Sequence, residues 1–147
     1  MSKGVQAACN TGMAGDRLEE IEWLFFRGLL VMCYSNVDVA KRWWIEQFEC
    51  KQTEVPDNWD DPLPSDVALR LPGDDEPTIL LCDQREVREA GFERTNQHPL
   101  LFSSRLKKAR EHLISKGSAP GLIRDAGGKQ FFEVGDPEGN MIEICEE

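Results

Sequence analysis

The chain has 147 residues, enough for one compact domain or two small fused halves with a core of their own. Hydrophobic residues make up 40% and charged residues 30%, ordinary for a globular protein, and no apolar run approaches the length of a membrane span. The formal net charge of −10 works against binding nucleic-acid phosphates or anionic lipid; it favours a cationic ligand, or simply solubility.

Residues 1–15 are small and polar and read as a loose tail, without the basic start and apolar core of a signal peptide, so a soluble cytoplasmic protein is expected. From Asp16, a candidate N-cap, the run DRLEEIEWLFF sets Leu18, Ile21 and Phe25 on one helical face. It predicts a short helix, or an extension that packs on a partner subunit. Residues 29–34 suit a buried strand. Ser35 or Asn36 can cap a helix over about 37–48, whose Ala40, Trp44 and Phe48 lie beside Val39 and Trp43 on one broad apolar face. At least one of the two tryptophans is expected to pin that helix to its sheet. A short strand is predicted near 50–55. The acidic, turn-rich stretch 56–65 holds Trp59 among Asp57, Asp60 and Asp61, which suits a cation site or a mobile surface tryptophan. Strands are predicted over 66–71 and 78–83, joined through the turn Pro72-Gly73-Asp74-Asp75.

The same order then recurs. Residues 98–102 read as a strand, and about 104–116 as a helix with Leu106, Ala109 and Leu113 on one face and Gly117 at its end. Lys107, Lys108, Arg110 and His112 read as its solvated side. Strands over 122–125 and 129–134 flank Ala126-Gly127-Gly128. The tight turn Asp136-Pro137-Glu138-Gly139 leads into a last strand over 141–145. The chain is therefore an α+β protein with the order β-α-β-β-β twice: module one about 28–84 and module two about 97–147, after an extension over 1–27. The five cysteines, Cys9, Cys33, Cys50, Cys82 and Cys145, are odd in number and form no CxxC pair, so reduced thiols are expected.

The run from Phe131 to Ile144, FFEVGDPEGNMIEI, resembles the closing hairpin of the vicinal oxygen chelate superfamily, the glyoxalase/bleomycin-resistance/dioxygenase type, with its D-P-x-G-N-x-I-E signature. Residues 34–48, with Trp43-Trp44, are similar to that family's first strand–helix junction, and 98–117 to the corresponding junction of its second half. The resemblance covers residues 28–147, about four-fifths of the chain. Glu49 stands where the family usually has a glycine, and residues 1–27 have no counterpart. The resemblance implies two βαβββ modules whose curled mixed sheets line a cavity, with helices outside, often across a homodimer. In the family's enzymes a divalent metal sits there, held by residues of the first and last strands, and stabilises an oxyanion of the substrate.

Carried onto this sequence, the resemblance puts His98 and Glu143 at ligand positions of module two, suited to Zn, Ni, Mn or Fe. In module one the corresponding positions hold Leu29 and Leu80, which ligate nothing. Alternation along the strands then gives an expected lining of Leu29, Val31, Cys33, Leu80, Cys82, His98, Leu100, Phe102, Met141, Glu143 and Cys145. Cys82 and Cys145 could replace missing ligands, or be small buried residues. His98 and Glu143 could hold a metal, act as a metal-free acid–base or ligand-orienting pair, or be structural. Three functions follow: a metal-independent protein binding an aromatic or cationic small molecule; a metal-dependent lyase, isomerase or dioxygenase; or a non-catalytic module docking a partner through residues 1–27.

Overall fold

The computed structural model describes residues 21–147, so the expected helix start at Asp16 and Leu18, and Cys9, lie outside the described residues. The described end of that helix is a correction: after Ile21 the chain turns, with Trp23 at φ 59, and Leu24 and Phe25 bury themselves in the core. Phe26 then makes an antiparallel bridge to Phe102. Arg27 donates to the carbonyls of His98 at 3.1 Å and Leu100 at 2.9 Å, which fastens this segment to the edge of the second module.

In chain order the elements are β1 (Leu30–Tyr34), α1 (Val37–Phe48), β2 (Lys51–Thr53), β3 (Val67–Arg70), β4 (Ile79–Asp83), α2 (Gln84–Ala90), β5 (Leu100–Ser103), α3 (Leu106–Ser115), β6 (Arg124–Ala126), β7 (Lys129–Gly135) and β8 (Met141–Glu146). They build two four-stranded mixed sheets, ordered β1-β4-β3-β2 and β5-β8-β7-β6. In each, the first pair is parallel and the others antiparallel, and neither sheet closes into a barrel. The expected α+β class with two βαβββ modules is what the structure has. Two strands are shifted: β5 begins at Leu100, leaving His98 ahead of it, and the strand expected over 122–125 is β6.

The period-two alternation of the strands and the four-residue recurrence of the helices meet in one core. Leu30, Met32 and Tyr34 of β1, Ile79 and Leu81 of β4, Phe132 and Val134 of β7 and Ile142 and Ile144 of β8 pack with Trp44 and Phe48 of α1 and Leu106, Ala109 and Leu113 of α3. That cluster spans both modules. Trp44 is fully buried and donates its Nε1 hydrogen to the Tyr34 hydroxyl at 3.1 Å, while Trp43 sits edge-on against it, half-buried. His112 is not merely solvated: its Nε2 lies 2.9 Å from the Gln47 carbonyl.

The Asp136–Asn140 turn joins the modules. Asp136 accepts the amides of Glu138 at 3.0 Å and Asn140 at 2.8 Å, and the Tyr34 hydroxyl at 2.7 Å. Gly139 takes φ 85, where a side chain would strain the turn. Glu138 reaches across to accept the amides of Ser35 and Asn36, both at 2.9 Å, at the start of α1, where Asn36 is the N-cap. At the other end of α1, Glu49 adopts the left-handed conformation, φ 54, that explains the glycine usual there.

The helix α2 is absent from the sequence reading. Asp83 caps it by accepting the amides of Arg85 at 2.9 Å and Glu86 at 3.1 Å, and Gly91, at φ 73, ends it. It packs Val87 against Leu80 and Cys82, on the side of β4 opposite the core that holds Ile79 and Leu81.

Candidate functional site

Each sheet turns one set of side chains into the core and the alternate set away from it. In module two the outward set is only partly covered by the described residues. Leu100, Glu143 and Glu133 lie in one row across β5, β8 and β7, and Phe102, Cys145 and Phe131 in the next. All six are only partly buried, whereas their neighbours Leu101, Phe132 and Ile144 are fully buried. The hairpin register that places Glu133 beside Glu143 follows from the tight turn at 136–140, so Glu133 and Phe131 were within reach of sequence reasoning but were missed.

His98, just ahead of β5, places its Nε2 3.4 Å from Glu143 Oε1; the imidazole is 67% exposed and the carboxylate 25%. Glu133 takes Arg124 at 2.7 Å, and the Arg124 guanidinium lies 4.9 Å from the Phe131 ring centre. Glu133 and Glu143 are direct cross-strand neighbours. Like charges so placed repel; Arg124 offsets this at Glu133, and the His98 imidazole lies beside Glu143. The face thus carries two carboxylates and two aromatic rings, with the Arg124 cation seated on Glu133 and over Phe131.

The corresponding face of module one is closed by its own chain. Val31, Leu80 and Ala68 form the row matching Leu100, Glu143 and Glu133, and Cys33 and Cys82 match Phe102 and Cys145. Leu80, Cys82 and Val87 form a second apolar cluster, with Val31, Cys33, Trp59, Leu63 and Phe92 packed against it. Trp59 is therefore part of a packed cluster, not the mobile surface residue that the sequence allowed. Arg94 latches the cover: its guanidinium meets Asp66 at 2.8 Å and the Asp61 carbonyl at 2.7 Å. Gln97 exchanges hydrogen bonds with Val31, and Asn96 accepts the Cys33 amide.

The expected lining residues are thus brought together as two groups. Val31, Cys33, Leu80 and Cys82 lie under α2, while His98, Leu100, Phe102, Met141, Glu143 and Cys145 belong to the open sheet, Met141 half-exposed. Leu29 precedes β1 and is also half-exposed. Among the described residues no three of His, Cys, Asp and Glu converge as a metal would need. His98 and Glu143 are two donors, and the register sets Leu80 where module two has Glu143. This donor set does not fit a catalytic divalent ion, which takes three or more protein ligands. A recess of about 350 Å³ at the start of α1 is polar, lined by Ser35, Asn36, Asp38, Gln52, Ser65 and Asp66 among others. Another of about 260 Å³ opens beside α2, with Cys33, Phe92 and Arg94 in its wall.

Two βαβββ modules in mixed sheets of this order define the vicinal oxygen chelate fold, and the chain has that fold. It is similar to a member of the glyoxalase/bleomycin resistance protein/dioxygenase superfamily from Sphaerobacter thermophilus, at 18% identity over 83% of this chain and 97% of that one, with a TM-score of 0.59. It is also similar to lactoylglutathione lyase from Agrobacterium tumefaciens, at 14% identity over 82% and 92% of the two chains, TM-score 0.61. TnmS3, an antibiotic binding protein from a Streptomyces species, matches at 16% identity over 82% and 96%, TM-score 0.56. No protein-family model matches the sequence, and no curated protein matches it. No helix among the described residues is long and apolar enough to cross a membrane.

Proposed function

We propose that this is a metal-independent small-molecule-binding protein of the cytoplasm, a homodimer that holds an aromatic or cationic ligand on the open face of module two, in the domain formed by residues 28–147. The observation that carries this reading is the row Leu100, Glu143 and Glu133 beside the row Phe102, Cys145 and Phe131. It is an aromatic and aliphatic surface with paired carboxylates, only partly buried by the described residues. Such a surface suits a flat cation: the rings contribute contact area and the acids contribute charge. His98, beside Glu143, orients a polar group of the ligand. The antibiotic binding of TnmS3, on the same fold, supports this direction.

The metal-dependent lyase, isomerase or dioxygenase reading needs ligands that a second copy of this chain also lacks, because each copy brings leucine at positions 29 and 80. Calorimetric titration of the full chain with a panel of aromatic cations tests the proposal. We expect binding without added metal, weakened about tenfold in Glu143→Gln by loss of one charge-assisted contact. Absence of binding across the panel, or binding that appears only with added divalent metal and vanishes in His98→Ala, overturns it.

A further inference from the structure

The closed face of module one contains chemistry that ligand binding on module two does not use. Cys33 and Cys82 are direct partners on the parallel strands β1 and β4. Adjacent strands lie about 4.8 Å apart, and disulfides span Cα separations of about 4.4–6.8 Å. Cys82 is fully buried beneath α2, whereas Cys33 is partly exposed in the wall of the recess of about 260 Å³ formed with Gln84, Val87, Arg88, Phe92 and Arg94. Arg94, latched to Asp66, donates to Cys82 Sγ at 3.3 Å, and its carbonyl lies 3.5 Å from Cys33 Sγ. Two thiols, one at the surface of a recess and one behind it, stand under a fixed guanidinium. The Arg94 charge favours a thiolate, while the Asp66 carboxylate paired with it acts the other way.

The electrostatics agree. The hydrogen bond from the Cys82 thiol brings Cys33 down to about 7; the Arg94 charge acts the same way, and burial and the Asp66 charge act upward. The same bond, and burial, push Cys82 up. The buried Cys50 is also pushed up, mainly by its burial.

We propose that Cys33 and Cys82 form a peroxide-reactive thiol pair, with Cys33 the attacking sulfur and Cys82 the resolving one. The Cys33 thiolate attacks an oxygen of a small hydroperoxide, hydrogen peroxide or a short organic one. The S–O bond forms as the O–O bond breaks, and the leaving oxygen takes a proton and departs as water or alcohol. Cys33, oxidised by two electrons, is then a sulfenic acid. The Cys82 sulfur attacks it, the S–S bond forms, and the hydroxyl leaves as water with the Cys82 proton.

The full chain, treated with hydrogen peroxide near stoichiometry and digested without reductant, tests this by peptide mass mapping. The expected first product is a Cys33–Cys82 linked peptide that dithiothreitol removes. In Cys82→Ala, dimedone is expected to trap a sulfenic acid on Cys33. At pH 7, iodoacetamide is expected to label Cys33 faster than the buried Cys50 and Cys82. Oxidation confined to Cys9 or Cys145, or a Cys33 link to either of them, overturns the proposal. The wild-type product decides the matter even where Cys82→Ala folds poorly.

Discussion

The two modules share strand order and register, yet treat the face turned away from the core in opposite ways. In module one, Val31 and Leu80 meet an apolar cover made by Val87 of α2, Trp59, Leu63 and Phe92, and Ala68, next to Leu80, is fully buried. In module two, Leu100, Glu143 and Glu133 meet nothing from the described chain that buries them. The exchange of Leu80 and Ala68 for Glu143 and Glu133 is what separates them. Aliphatic side chains on that face attract a cover and become a second core. Two adjacent carboxylates resist burial, and the face stays available.

Reciprocal substitution breaks the contrast most directly. Leu80→Glu places a carboxylate under α2, and loses an apolar contact as well; we expect a destabilisation of roughly 5 kcal/mol in urea denaturation. Glu143→Leu removes one of two repelling charges from a face with room for it, and its stability is expected to stay within about 1 kcal/mol of the parent. Similar losses in both variants would mean that the two faces are equally packed, and the contrast would fail.

A smaller effect sharpens the comparison by loosening the cover alone. The Asp66 side chain is 1% exposed and its charge is answered by Arg94, itself 14% exposed. Arg94→Met leaves that carboxylate buried without its cation, a loss of about 3 kcal/mol. Amides of residues 84–97 are expected to exchange faster in this variant, while those of β7 and β8 keep their protection. A uniform rise in exchange over both modules would show that the cover and the core open together.

Much of this was legible in the sequence. The β-α-β-β-β order, the helix over 37–48 and the DPEGN turn were all read from periodicity and turn chemistry, because each is specified within a few neighbouring residues. The helix α2 was not. It spans seven residues with one buried side chain, Val87, so it carries no apolar stripe; only the Asp83 cap with Glu86 and the Gly91 stop signalled it. The cover was illegible for a different reason. Arg94 and Asp66 are far apart in sequence, as are Trp59 and Leu80, and nothing local to any of them announces the contact. The same holds for the candidate site. Val31, Cys33, Leu80 and Cys82, expected from alternation to line a cavity, share one face, but alternation could not say that the chain would fold back over it.

The modules also differ at the start of their helices, and there the expected effect is smallest. Asn36 and Glu138 serve the amides at the start of α1, while Arg105, at the same place in α3, offers no side-chain cap bond. Although its partial burial acts upward, Glu138 is held below the ordinary carboxylate range by the amides of Ser35 and Asn36. A carboxyl whose folded pKa lies below its unfolded value binds fewer protons when folded, so its contribution is present above the unfolded value of about 4.3 and is lost as pH falls through the folded one. Glu138→Gln is therefore expected to be less stable than the parent at pH 7. The gap should close as pH drops below about 4, because the parent then also carries a neutral group. Urea midpoints of parent and variant, compared across that range, remove the titration of all other carboxylates. A gap that stays constant with pH would show that the interaction across the modules is one of shape and hydrogen bonding, with no contribution from the charge.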